Sequence, residues 1–376
     1  MTTLPAAALG ASWRARLADH TVVHLDAAGC ACPSQAVLDA TVAHLRREAA
    51  VGGYAAEAEA AGTLTLARDR LGALVDLSGD DVAFAPNATA AFTSLLGAWP
   101  LREGARVATV PSDYESNRLA LRALAARLGL EVVDLQTDAA GQVDLDALPG
   151  QLPGLDLVTF PVVASQRGVV QPAAAVVSLA HDAGVPVVLD VAQAAGQVAL
   201  GGVGADGYVG TARKWLRGPR GTGWIAAPPA VASRLEPAYP SLVGRDAEGV
   251  GRLATGEASV AARVGLAVAL EELAADADAV FARIAALGAY ARARLDGGGG
   301  WRVQEPVEEP SGIVTLAHPV EDPVAVARRL LGEGVATTAI PSDRAPDDLA
   351  CGVLRISLHA YCQAEDLDRL EFSLRR

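Results

Sequence analysis

Between residues 106 and 226 the chain alternates short strands that are apolar along their whole length with helical stretches. Strand patterns cover residues 106–110, 131–135, 155–160, 186–189, 207–210 and 222–226, and helical patterns at 116–128 and 173–183 fill gaps between them. A strand that is apolar on both faces has to be covered on both faces. Strands of that kind alternating with helices imply an α/β fold with a mostly parallel sheet. Ligands of such sheets bind beyond the carboxyl ends of the strands.

The flanks follow other patterns. Residues 1–20 read as an arm or short helix, and residues 22–26 as a strand running into the close-approach turn Ala27-Ala28-Gly29. Ser34 is a helix-start residue. The helix it opens runs to about residue 50 with Val37, Val42 and Leu45 on its apolar side, and Gly52-Gly53 breaks it before a second helix ending near Leu77. A strand at 82–84 passes through Ala85-Pro86-Asn87-Ala88-Thr89 into a helix that ends near Trp99. After Pro240 come helices at 258–273 and 276–295, a run of four glycines from Gly297, strands at 313–316 and 353–357, and helices at 324–331 and beyond Ala364. The expected division is an arm (1–20), a large domain (21–240) and a smaller α+β domain (241–376), which suits a chain of 376 residues.

A net charge of −13 disfavours nucleic acid and anionic membranes as partners. No apolar run reaches the length of a bilayer span. The opening Met1-Thr2-Thr3-Leu4-Pro5 lacks the basic and apolar regions of a secretory leader. Cys30-Ala31-Cys32 is too closely spaced for a metal-binding or redox pair, and no histidines stand at zinc spacing, so no metal is expected. Cys30, Cys32, Cys351 and Cys362 then read as reduced thiols of a cytoplasmic protein.

All but one of the 31 basic residues are arginine; the exception is Lys214. Arginine stays protonated and forms no imine, whereas a lysine amine shifts its pKa and acts as a nucleophile. Lys214 follows the strand at 207–210 through Thr211-Ala212-Arg213, and a glycine-rich segment from Gly218 to Gly223 comes next. Upstream, the strand at 186–189 ends at Asp190, with Gln193 shortly after. One lysine and an acid at a strand end suit pyridoxal 5'-phosphate (PLP), which needs an amine and a carboxylate facing its pyridine nitrogen. The run Gly202-Val203-Gly204-Ala205-Asp206-Gly207 matches a dinucleotide motif in letters only. It precedes a strand, where that motif must follow one and open a helix.

Asp190-Val191-Ala192-Gln193 and Thr211-Ala212-Arg213-Lys214 together resemble the cofactor motifs of the class V aminotransferase family. The resemblance covers nearly the whole chain. It implies fold type I, with a large domain built on a mostly parallel seven-stranded sheet, and a homodimer with sites near the subunit interface. It implies that Lys214 and Asp190 are catalytic, and that Ala88, Thr89, Tyr114, Gln193, Thr211 and Arg213 join them in binding PLP. Ala28, Ser165 and Arg355 are implied to face a small amino-acid substrate, with Arg355 on its carboxylate. Several positions depart from the family pattern. Arg213 replaces a histidine, Tyr114 stands where desulfurases stack a histidine on the ring, and Glu257 follows Gly256 where a threonine is usual. Read without the family, Thr89 is equally a helix-start residue, Arg213 a solvated arginine and Tyr114 a core or surface tyrosine.

The combination of residues 113–117, Arg213-Lys214-Trp215 and Gly256-Glu257-Ala258 is most similar to family members that break carbon–sulfur bonds by β-elimination. The alternative within the family is a cysteine desulfurase or selenocysteine lyase. That chemistry needs a nucleophilic cysteine on a mobile loop. The corresponding stretch, residues 340–348, contains none, and Cys351 just ahead of Arg355 is expected to be held by packing. A regulator of this fold would carry a DNA-binding extension, for which the acidic chain has neither spare length nor a basic helix pair.

Overall fold

The computed structural model describes residues 6–375, so the stretch 1–5 read for a leader lies outside the described residues. Seven strands form the central sheet: β1 (Val82–Ala85), β2 (Arg106–Thr109), β3 (Glu131–Asp134), β4 (Leu157–Pro161), β5 (Val187–Asp190), β6 (Gly207–Thr211) and β7 (Gly223–Ala226). Their order is β1-β7-β6-β5-β4-β2-β3. Every neighbouring pair is parallel except those of β7, which runs antiparallel to β1 and β6. The expected α/β fold with a mostly parallel seven-stranded sheet is borne out. Strands β1 and β4 to β7 are buried along their whole length, whereas edge strand β3 is partly exposed.

The register aligns the functional ends. Pro161 pairs with Asp190, while Thr211 and Ala85 both pair with Gly223. Thus the carboxyl ends of β1, β4, β5 and β6 open onto one edge of the sheet.

A second, antiparallel sheet holds β8 (Arg302–Val303), β9 (Ile313–Ala317), β10 (Thr338–Ile340) and β11 (Val353–Ser357) in the order β10-β11-β9-β8. Arg355 stands in its middle strand, in register with Thr315 and Thr338. The N-terminal segment joins this region. Residues Val23–His24 pair in parallel with Val335–Ala336, and Asp26 bridges to Ser357.

Helices α1 (Ala7–Ala15), α2 (Gln35–Val51) and α3 (Gly53–Ala73) pack with the long α7 (Val260–Leu295); α4 (Ala88–Ala98), α5 (Glu115–Leu128) and α6 (Ala173–Asp182) follow strands of the central sheet. Ser34 caps α2 by accepting from the Val37 N–H at 3.2 Å, and Gly52, at φ +89°, separates α2 from α3. The helices read at 258–273 and 276–295 are the two halves of α7, which meet at a non-helical Asp276 with φ −135°. The Asp276 carboxylate turns aside to accept from Trp13 Nε1 at 3.3 Å and Arg16 Nη2 at 3.4 Å. On α2, Leu45 points outward at 49 % exposure, and His44 takes the inner face. The buried stripe passes through Val37, Thr41 and His44, where a Cβ on Gly265 of α7 would lie 2.3 Å from Thr41 Oγ1. The expected apolar side through Leu45 is thus corrected to one through His44.

Candidate active site

Loops at the carboxyl edge enclose a cavity of about 490 Å³ lined by Ala88, Thr89, Tyr114, Ser165, Asp190, Gln193, Thr211, Arg213 and Lys214. A contiguous cavity of about 160 Å³ shares Tyr114, Ser165, Gln193, Arg213 and Lys214 and adds Ala28 and Arg355. All eleven residues singled out from the sequence therefore meet at one place. Arg220, Arg344 and Thr338 also line it and carried no expectation.

One end is an anion cradle. Strand β1 ends at Ala85, Asn87 caps α4 by accepting from the Ala90 N–H at 2.9 Å, and Ala88 and Thr89 form the first turn of α4. The free N–H groups of a helix start attract anions. Gly223 makes the cradle possible, since a Cβ there would lie 2.4 Å from the Asn87 backbone. Thr211 donates its hydroxyl to the Thr222 carbonyl at 3.3 Å, and Arg213 makes no side-chain hydrogen bond or ion pair among the described residues.

Toward the sheet lies Asp190, 6 % exposed. Its Oδ1 accepts from the Ala192 N–H at 2.8 Å and its Oδ2 from Asn117 Nδ2 at 2.9 Å. Asn117 also donates to Asp113 Oδ1 at 3.1 Å, so one amide serves two carboxylates. Burial and the nearby Asp190 push the Asp113 carboxyl up to about 7 against the donors Thr109, Asn117 and the Tyr114 N–H. Asn117 was missed as a site residue, although its i, i+4 spacing from Asp113 at a helix start is a readable signal.

Lys214 sits half-buried on the turn after β6, with Nζ 5.9 Å from the centroid of the Tyr114 ring. Burial pushes its amine down to about 7; Asp190 and Asp26 oppose the shift, and Arg213 and Arg355 add to it. Gln193 is fully used: Nε2 donates to the Ala28 carbonyl at 3.1 Å and Oε1 accepts from Trp215 Nε1 at 2.8 Å.

At the substrate-facing end, Arg355 donates through Nη2 to Asp26 Oδ1 at 3.1 Å and through Nη1 to the Ser165 carbonyl at 3.0 Å. Its buried Nε has no partner. The Ser165 hydroxyl donates to Gln166 Oε1 at 3.0 Å, and the Ala28 N–H donates to Ser357 Oγ at 2.9 Å. Gly256 and Glu257 line neither cavity; Glu257 accepts from the Tyr54 hydroxyl at 3.1 Å in a separate groove. Cys351 is exposed in the loop ahead of β11, contrary to the expected packing, because the strand begins only at Val353.

An anion cradle, a desulvated amine, a buried carboxylate and an aromatic face around one cavity fit pyridoxal phosphate. This set on a seven-stranded, mostly parallel sheet defines a fold type I PLP enzyme. More narrowly, the chain belongs to the class V aminotransferase family, whose model matches residues 23–370. It is 43% identical to a probable hercynylcysteine sulfoxide lyase of Mycobacterium tuberculosis, over 95% of this chain and 90% of that protein. Among solved structures it resembles the Escherichia coli cysteine desulfurase CsdA, with a TM-score of 0.84, 21% identity and 97% of each chain covered. It also resembles the cystine C–S lyase C-DES in complex with cysteine persulfide, with a TM-score of 0.85, 19% identity and coverage of 94% of this chain and 97% of that one.

The single lysine allows a direct test of its environment. In cofactor-free protein, acylation of Lys214 followed by mass analysis should reach half its maximal rate near pH 7, since only the neutral amine reacts. A midpoint near 10, the ordinary lysine value, would contradict the burial argument.

Proposed function

We propose that the protein is a PLP-dependent carbon–sulfur lyase that eliminates the sulfur group from hercynylcysteine sulfoxide in ergothioneine biosynthesis, releasing pyruvate and ammonia. The observation that carries this reading is the placement of the chain's one lysine, its amine desolvated, in the lining of both cavities, one shared with Asp190 and the other with Arg355. The 43% identity over nearly the full chain supports the substrate.

Lys214 holds the cofactor and carries the Cα proton of the substrate. Asp190, oriented by Asn117 and the Ala192 N–H, would hold the pyridine nitrogen. Ala88 and Thr89 at the helix start, with Thr211 and Arg213 in the same cavity lining, would hold the phosphate, and Tyr114 would offer its face to the ring. Gln193, its amide held by Ala28 and Trp215, would serve the ring oxygen. Arg355 takes the substrate carboxylate, and Ala28 and Ser165 frame the amino acid. Bound there, the cofactor supplies an electron sink for the pair left on Cα. Loss of the Cα proton and expulsion of sulfur as a sulfenic acid leave an unsaturated three-carbon amine that one water hydrolyses to pyruvate and ammonia. Two equivalents of an external thiol then reduce the released sulfenic acid to ergothioneine, forming a disulfide and water. Four free cysteines suit the reducing cytoplasm.

The purified enzyme should release pyruvate from hercynylcysteine sulfoxide, and borohydride should fix the cofactor on the Lys214 peptide. Asp190→Asn should retain cofactor but lose turnover by about 100- to 1,000-fold, the usual cost of one lost electrostatic stabiliser. A colourless enzyme, or Lys214→Ala with full turnover, would refute the assignment.

A desulfurase is the second reading, favoured by the exposure of Cys351. Elimination needs no thiol, so Cys351→Ser with Cys362→Ser should leave pyruvate formation within about twofold, apart from any stability loss at buried Cys362. Alanine formed from cysteine and abolished by Cys351→Ser would install the desulfurase in its place.

The active unit is proposed to be a homodimer. Leu38, Leu45, Tyr239 and Leu242, 42, 49, 84 and 76 % exposed, are available to such an interface. Light scattering should give twice the chain mass; a fully active monomer would contradict it.

A further inference from the structure

The smaller cavity holds more positive charge than an amino acid substrate can match. Arg213, Lys214, Arg344 and Arg355 line it, and no carboxylate does. Arg355 is paired with Asp26, leaving its Nε for one carboxylate. Arg213 also faces the anion cradle. Arg344 remains, making no side-chain hydrogen bond or ion pair among the described residues of a chain with a net charge of −13.

Arg344 ends the short turn Ser342–Arg344, and its loop is tied down beyond it. Asp347 pairs with Arg118 at 2.6 Å and Arg122 at 3.5 Å, while Asp348 pairs with Arg167 at 3.0 Å and accepts from Gln166 at 3.2 Å. Ala345 and Leu349 pack with Ile340 and Val353. The loop therefore holds an exposed guanidinium in the lining of the smaller cavity, in the space that Arg213, Lys214 and Arg355 also line. A planar guanidinium matches a carboxylate bidentately.

We propose that Arg344 binds a second carboxylate, carried on the sulfur-bound part of the substrate, and so selects cysteine conjugates with a distal acid over cysteine itself. The assignment rests on the lyase reading for the orientation of the substrate. The betaine carboxylate of a hercynyl group is one such acid.

The probes are S-(2-carboxyethyl)-L-cysteine and its neutral amide, S-(2-carbamoylethyl)-L-cysteine, titrated calorimetrically into the holoenzyme. Pyruvate release from the two corresponding sulfoxides is measured separately. The wild type should bind the acid about 10- to 100-fold more tightly than the amide, the range expected of a hydrogen bond to a charged group. Arg344→Gln should abolish that preference by weakening the acid alone, and Arg344→Lys should retain part of it. Equal binding of the two probes by the wild type overturns the proposal. So does an Arg344→Gln variant that weakens both alike, which would place Arg344 on the α-carboxylate. An acid preference lost in Arg344→Gln, with no pyruvate from either sulfoxide, supports Arg344 and counts against the lyase reading alone.

Discussion

The turn that presents Lys214 is pinned by a buried cation. Arg217, three residues on, adopts φ +58°, a left-handed conformation that costs a non-glycine residue about 1–2 kcal/mol. Packing offsets that cost. The guanidinium lies 4.8 Å from the centroid of Trp13 and 5.6 Å from that of Tyr361, and its Nε donates to the Cys32 carbonyl at 3.0 Å. Glu272 of α7 supplies a carboxylate at 3.7 Å. His359, stacked on both Trp215 and Tyr361, donates Nε2–H to the Trp215 carbonyl at 3.0 Å while Nδ1 accepts from the Ala360 N–H at 2.8 Å. Burial drives its imidazole down to about 3, so it stays neutral and keeps both bonds. Helix α1, the Cys32 turn, α7 and the C-terminal segment thus converge on one short turn. Elements from both ends of the chain fix the backbone that presents the Lys214 amine.

Charge is arranged as tightly as geometry. Two carboxylates, Asp113 and Asp190, share the amide of Asn117, and two like charges that close in a buried site do not ionise with equal ease. Asp113 is the one pushed toward neutrality, held among Thr109, Tyr114 and Asn117. Asp190, at the cavity wall, is then the carboxylate left to face a ligand cation. The Asp113-Tyr114 sequence thereby joins two features at one helix start: Tyr114 offers an aromatic face to the cavity, and the preceding residue shares the Asn117 amide with the acid behind it.

Much of this was legible in the amino-acid order. A fully apolar strand has one structural solution, so β4, β5 and β6 were found within a residue or two of their ends, and with them the edge where Asp190 and Thr211 stand. The lone lysine was legible because thirty other positive charges had been given to arginine. What escaped depended on contacts distant in sequence. His44 faces in and Leu45 out on a helix that packs against α7, more than two hundred positions away. The break ahead of residue 276 was legible, but not that Asp276 would accept there from Trp13 and Arg16 at the other end of the chain. Arg344 looked like any loop arginine, because nothing local says that Asp347 and Asp348 will fasten its loop to Arg118 and Arg167.

That fastening separates two chemistries available to one scaffold. Sulfur abstraction by a thiolate needs a loop that travels, since the nucleophile must reach the substrate and then hand its sulfur on. Elimination asks the same loop only to stay in place and shape the pocket. Ion pairs from two consecutive aspartates to the large sheet's helices and loops, together with the buried Ala345 and Leu349, oppose travel. Cys351, though exposed, lies beyond those anchors and next to β11, whose ladder with β9 and β10 fixes the backbone from Val353 onward. A thiol between two fixed points has little reach. The same restraint that opposes a nucleophile's motion also holds Arg344 fixed in the cavity lining, so one set of contacts bears on both chemistries.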